Sequence, residues 1–231
     1  MRDLVLVHGW GFGSAVWRPV AEHLPATLRV HRVDLPGYGS HEFSPDMLPV
    51  DAVVCGWSLG ALYALQWARH YPDRIARLVL VGATPRFVQT TDWPWAQLPA
   101  LLNEFASGVR ADATTALRRF AALLNRGDGQ ARSLTREMSA MLDRHTPTTA
   151  CLLEGLETLR TTDLRDAIAD VGQPTLVIHG QCDSLMPPAA GRWLADRLPQ
   201  GRLEVFEGAA HAPFLSDRQR FAAAVARFAD E

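Results

Sequence analysis

Residues 53–68 read VVCGWSLGALYALQWA. The run at 52–55 is apolar, uncharged and β-branched, which reads as a buried strand. From 61 to 70 the residues are good helix formers, with Tyr63 and Trp67 four apart on one face. Between them stands Gly56-Trp57-Ser58-Leu59-Gly60, a G-x-S-x-G pattern. A strand that turns at once into a helix strains the backbone at the apex. Glycines on either side of Ser58 let the two elements pass closely. The reading is a nucleophile elbow, with the Ser58 hydroxyl at the sheet edge and the positive end of a helix beneath it. The same residues would also make an ordinary turn, so the rest of the chain has to decide.

The strand pattern recurs on both sides of the elbow. Residues 4–7, 28–33, 77–82, 174–180 and 201–208 carry the other five candidate strands, and helix patterns cover 14–24, 61–71, 188–198 and 216–230. Strands apolar on both faces that alternate with helices predict an α/β fold, a mostly parallel sheet covered on both sides. The block from 85 to 170 differs. It has no convincing strand and reads as helices at 98–105, 113–124, 131–142 and 148–159, with Thr146-Pro147 as an N-cap and first helical residue. An all-helical insert between the fourth and fifth strands would sit over the strand ends, where ligands bind in open α/β sheets. The expected organisation is a core of 1–84 and 171–231 with a helical lid at 85–170.

The chain has 231 residues, 48% hydrophobic, enough for one core with an inserted subdomain. No apolar run approaches the length of a membrane span. Met1-Arg2-Asp3-Leu4 leads straight into strand-like sequence, so no signal peptide is expected. Cys55, Cys151 and Cys182 are scattered and in no metal-ligand spacing; they read as free thiols in a reducing cytoplasm. A net charge of -2 gives no sign of a nucleic-acid partner.

A serine nucleophile needs a base, and the base an orienting acid. In elbow-type sites the acid follows a late strand and the histidine follows the last one. VIHGQCDSLMPP at 177–188 places Asp183 after the fifth strand, and VFEGAAHAPF at 205–214 places His211 after the sixth. Taken singly, Asp183 would serve as a turn or capping residue and His211 as a satisfied loop histidine. Their order after Ser58 argues for a triad. An oxyanion hole would take the N–H of Leu59, just after the nucleophile, and that of Trp10 in the glycine-rich loop HGWGFGS at 8–14. The Trp10 side chain is equally at home as a core aromatic.

The segments LVLVHGWG, VDLPGYGS, GWSLGA, YPDRIARLVLVGATP, PTLVIHGQCDSLMPP and GAAHAPFLSD together resemble the α/β-hydrolase superfamily over nearly the whole chain. Trp10 in H-G-W-G, Trp57 before the nucleophile and AAHAPF after the last strand look most like the BioH carboxylesterase family of biotin synthesis. Its members hydrolyse the methyl ester of pimeloyl-acyl carrier protein. The resemblance implies Ser58 as nucleophile, His211 as general base and acid, Asp183 as its orienter, and Trp10 and Leu59 as oxyanion donors. Trp10, Trp57 and Phe120 would line the acyl pocket, and no metal or organic cofactor would be needed. The family usually has one or two strands before the H-G strand, and only three residues precede Leu4. The segment HEFSPDMLPVD at 41–51 is also short for the helix expected there.

Residues 110–144 carry seven arginines against four acids, a net +3 in a chain of net charge -2. A basic lid would steer a small acidic acyl carrier protein, and the resemblance points to Arg119, Arg132 and Arg136 as its contacts. The plainer reading of such a run is a solvated helix face. Two alternatives share the fold: a general short-chain carboxylesterase, and a menaquinone-pathway-type lyase or carbon–carbon hydrolase. A receptor without catalysis is the third, and an intact triad argues against it.

Overall fold

The computed structural model describes residues 1–39, 43–144 and 146–231. Six strands, β1 (Arg2–Val7), β2 (Leu28–Val33), β3 (Ala52–Trp57), β4 (Ile75–Val81), β5 (Thr175–Gly180) and β6 (Gly201–Phe206), form one sheet in the order β2-β1-β3-β4-β5-β6. Every pairing is parallel. β3 and β5 are buried along their whole length. That explains why neither alternates between apolar and charged residues.

Helices cover the sheet. One group is α1 (Arg18–Ala21), α7 (Pro213–Ser216) and α8 (Arg218–Asp230), joined where Trp17 packs on Phe214 and Phe221. The other contains α2 (Leu59–His70) and α6 (Pro188–Arg197). Gln173, just before β5, donates to the Ala68 carbonyl at 3.0 Å and so ties the start of β5 to α2. The insert between β4 and β5 is helical: α3 (Pro99–Leu124), α4 (Ala131–Arg144) and α5 (Thr149–Thr161). Among the described residues no helix is long and apolar enough to cross a membrane.

The chain leaves β1 for the edge strand β2, then returns past β1 to form β3. That reversal opens a crevice at the C-terminal ends of β1 and β3. The loop after β1 and the turn after β3 both open into it.

The expected strands are all present, and the helices differ at two places. The helix expected at 14–24 is a turn of 3₁₀ helix, Ser14–Trp17, followed by the short α1. Pro19 lacks the N–H that a continuous helix would need there. The cap of α5 is Thr148, whose side chain accepts from the Cys151 N–H, and not Thr146. The Thr146 hydroxyl donates to the Leu142 carbonyl at 3.0 Å and is used in closing α4. The two helices expected at 98–105 and 113–124 are present and meet end to end as α3, with non-helical backbone at Asp112 (φ -159°, ψ 96°) between them. The end of VDLPGYGS at Ser40 and the start of HEFSPDMLPVD at His41 and Glu42 lie outside the described residues. The rest of that segment holds only a turn of 3₁₀ helix, Pro45–Met47, ahead of β3.

Candidate active site

Ser58 stands between β3 and α2 with φ 55° and ψ -116°, a region that side-chain-bearing residues rarely adopt. Its N–H donates to the Val81 carbonyl at 2.9 Å, so the end of β4 holds the turn. The two flanking glycines have a steric reason. A Cβ on Gly60 would lie 2.5 Å from the His8 carbonyl oxygen, and one on Gly56 would run into the Gly60 carbonyl. The elbow therefore forms only where the chain crosses itself without side chains. Gly9 completes the crossing, since a Cβ there would sit 3.2 Å from Ser58 Cβ. Trp10 is the next residue in the chain. Leu59 is the first residue of α2, where no carbonyl stands behind the N–H. Among the described residues, neither the Trp10 nor the Leu59 amide donates a hydrogen bond.

Asp183 and His211 meet. The His211 Nδ1 to Asp183 Oδ2 distance is 2.7 Å, with both side chains fully buried. A carboxylate oxygen only accepts, so Nδ1 carries the hydrogen and Nε2 is left as a base. That Nε2 is buried and has no hydrogen-bond partner. The other carboxylate oxygen, Oδ1, accepts the N–H groups of Leu185 at 3.0 Å and Met186 at 2.8 Å. His179 adds a contact of 3.4 Å to Oδ2 while donating from Nε2 to the Met186 carbonyl at 2.7 Å. Burial pushes the Asp183 carboxyl up. The charge of His211 and the hydrogen bonds from His179 and His211 outweigh it and hold the group well below the usual carboxylate range.

His211 is tethered to the surroundings of Ser58 on two sides. Trp57, the residue before Ser58, donates its indole Nε1–H to the His211 carbonyl at 2.9 Å. Gly82, next to the Val81 that holds Ser58, packs on the ring, where a Cβ would stand 3.0 Å from Nδ1 and Cε1. The structure thus joins His211 to Asp183 by a hydrogen bond and ties the His211 backbone to Trp57, the residue before Ser58. In this closed arrangement Ser58 is 7% exposed and His211 not at all.

The aromatic candidates divide. Trp10 meets Phe120 of α3 edge-on at 4.7 Å, and its Nε1–H donates to the Leu152 carbonyl of α5 at 2.8 Å. The Trp57 ring is instead packed between Phe12 and Phe214, at 5.5 and 5.1 Å. Arg119, Arg132 and Arg136 are exposed and have no acidic partner among the described residues, whereas Arg118 pairs with Asp143. Burial raises the Cys151 thiol to about 11 and the Cys55 thiol higher, so neither competes as a nucleophile near neutral pH.

Three residues at the site carry no signal of their own in the sequence. Phe105 completes the aromatic group, 5.9 Å from Trp10 and 5.5 Å from Phe120. His179 reads as part of a strand, and Asp128 as a turn residue. Only the fold reveals their partners.

Comparison with known proteins decides the family. The alpha/beta hydrolase fold model matches residues 45–217. A pimeloyl-[acyl-carrier protein] methyl ester esterase of Aromatoleum aromaticum is 44% identical, over 93% of this chain and 92% of its own. The chain is an α/β-hydrolase of the pimeloyl-[acyl-carrier protein] methyl ester esterase family. A second member of that family, from Nitrosomonas europaea, is 41% identical over 95% of this chain and 92% of its own. An esterase from Exiguobacterium antarcticum superposes with a TM-score of 0.89 over 100% of this chain and 92% of its own. At 20% identity that likeness concerns the α/β-hydrolase fold alone.

Proposed function

We propose that the protein is a serine carboxylesterase that hydrolyses the methyl ester of pimeloyl-acyl carrier protein in biotin synthesis, acting in the cytoplasm. The observation that carries the reading is a bare, buried His211 Nε2, oriented by Asp183 and tethered beside an elbow serine. The identity of 44% to an esterase named for that substrate supports the choice of ester.

Ser58 Oγ gives its proton to His211 Nε2 and attacks the ester carbonyl. The oxyanion is met by the N–H groups of Trp10 and Leu59. Collapse breaks the bond to methoxide, which leaves as methanol with the proton from His211. Water then loses a proton to His211 and attacks the acyl-enzyme. Ser58 and the free carboxylate are released. Asp183 holds the tautomer and stabilises the imidazolium formed at each step.

The insert acts as a lid over 85–170. Trp10, Phe105 and Phe120 form an apolar wall for the acyl chain, where each buried methylene contributes about 0.8 kcal/mol. Substrate reaches the buried Ser58 when the lid shifts, and the break at Asp112 gives α3 a joint. There the Asp112 carboxylate caps the second half of the helix, accepting from the Thr115 N–H at 3.1 Å and its hydroxyl at 2.6 Å. The exposed Arg119, Arg132 and Arg136 offer a positive face to an acidic carrier protein.

An active-site-directed fluorophosphonate tests the nucleophile. The expected result is a single covalent label on the Ser58 peptide, with labelling slowed at least 100-fold in His211→Ala. No label, or a label elsewhere, would overturn the assignment of Ser58.

A further inference from the structure

His211 sits in Ala209-Ala210-His211-Ala212, a loop with no other polar side chain. Nothing in the loop can fix its own backbone, so its position has to be set from outside. The turn between α3 and α4 does this. Asp128, in that turn and buried, accepts the Ala210 N–H on Oδ2 at 2.9 Å. The same oxygen accepts the Ser216 hydroxyl at 2.6 Å. Its other oxygen accepts the Gln130 N–H at 2.7 Å, which keeps the carboxylate in register with its own turn. Ala210 immediately precedes His211, and Ser216 ends α7 just beyond it. The single carboxylate therefore grips the loop on both sides of the histidine.

Backbone bonds reinforce the grip. The His211 N–H donates to the Leu124 carbonyl at the end of α3, at 3.1 Å, and Gly129 N–H donates to the Gly208 carbonyl at 3.0 Å. Gly127 of the same turn packs on the loop of Asp183, where a Cβ would stand 3.3 Å from Cys182. The helical insert thus touches both loops that carry the Asp183–His211 pair.

We propose that Asp128 is a positioning residue for the reaction: it fixes the loop of His211 to the helical insert, so that the base points at Ser58 only while the α3–α4 turn is seated. The proposal rests on the esterase reading above. A buried carboxylate accepting three donors is a strong, directional clamp. A displacement of about 1 Å at a general base costs on the order of 10²-fold in rate. The clamp acts on the base and not on the acyl wall, so kcat falls and KM does not.

The test compares wild type, Asp128→Ala, Asp128→Asn, Ser58→Ala and Phe228→Leu on a p-nitrophenyl ester. Phe228 lies in α8, buried in the core with the Arg77 guanidinium 5.5 Å from its ring, and serves as a control for lost stability alone. Active sites are counted by the burst or by fluorophosphonate titration, and kcat is expressed per titrated site. The expected result is a fall in kcat per site of 10- to 100-fold in Asp128→Ala and a smaller fall in Asp128→Asn, with KM within 2-fold. Phe228→Leu should lower the unfolding midpoint while keeping kcat per site. If Asp128→Ala yields no folded protein, Asp128→Asn, of equal size, carries the test. Wild-type kcat per site in a folded Asp128 variant would overturn the positioning role and leave the esterase reading intact. No wild-type hydrolysis above Ser58→Ala would overturn the esterase reading, and this inference with it.

Discussion

Gly155, in the middle of α5, touches the proposed oxyanion residue, and replacing it with alanine separates two opposing effects. On helix propensity alone Gly155→Ala should stabilise the protein by about 1 kcal/mol. Packing opposes this. The new Cβ would stand 2.7 Å from Trp10 Cδ1 and 3.2 Å from both Trp10 Nε1 and the Tyr38 hydroxyl. The indole cannot retreat, because Phe120 meets it edge-on at 4.7 Å and Phe105 at 5.9 Å. It is also bonded to the Leu152 carbonyl on the same helix. α5 must therefore move away by roughly 0.8 Å to restore ordinary contact. Overpacking of this kind costs about 1–3 kcal/mol, and a weakened indole bond adds about 1 kcal/mol. The net expectation is a loss of about 1–3 kcal/mol in urea unfolding at unchanged slope. Because Trp10 carries a proposed oxyanion amide, kcat on a p-nitrophenyl ester should fall on the order of 10-fold. A variant that gains about 1 kcal/mol with unchanged kcat would refute the seating of α5 on Trp10.

Asp183→Asn should lower kcat by about 10³–10⁴-fold, with the protein still folded, because the amide no longer imposes the productive tautomer on His211; steady-state ester hydrolysis with circular dichroism checks both halves. Arg119→Glu, Arg132→Glu and Arg136→Glu combined should raise KM for a carrier-bound ester more than 10-fold and flatten its salt dependence, with hydrolysis of a carrier-free ester unchanged; stopped-flow and steady-state assays at two ionic strengths decide it. Asp163 ties the root of the insert, and the Arg165 hydrogen bond outweighs burial to hold its carboxyl at about 2. A depressed folded-state pKa contributes stability that is present above the unfolded value and lost as pH falls. At 28% side-chain exposure screening leaves about 1 kcal/mol. The urea midpoint of Asp163→Asn should therefore lie below wild type at pH 6, and the gap should narrow as pH falls from 4 toward 2.

The fold was legible because its evidence is local. The central strands carry apolar runs ended by glycine or a turn, the edge strands β2 and β6 alternate apolar with charged residues, and Gly56 is forced by the Gly60 carbonyl four residues on. The positions of Ser58, Asp183 and His211 after their strands could be read the same way. The rest depends on distant partners. Asp128 reaches its acceptor role 82 residues along the chain at Ala210. The Trp57 indole finds the His211 carbonyl 154 residues away. Before that partner is known, an aromatic beside a nucleophile reads as pocket lining. The cap of α5 could not be read from Thr146-Pro147, because the Thr146 hydroxyl is already bonded to Leu142. The break in α3 was legible as the gap between 105 and 113, but its cause, Asp112 capping onto Thr115, was not.

The most direct test of the central claim is hydrolysis of pimeloyl-acyl carrier protein methyl ester, followed by methanol release and mass shift of the carrier. The same acyl methyl ester without the carrier, and the Ser58→Ala enzyme, are run in parallel. The account predicts turnover of the carrier-bound ester that exceeds the carrier-free one in kcat/KM and disappears in Ser58→Ala. Hydrolysis of simple esters with none of the carrier-bound ester would contradict it, and would make the protein a general carboxylesterase with a merely solvated basic lid.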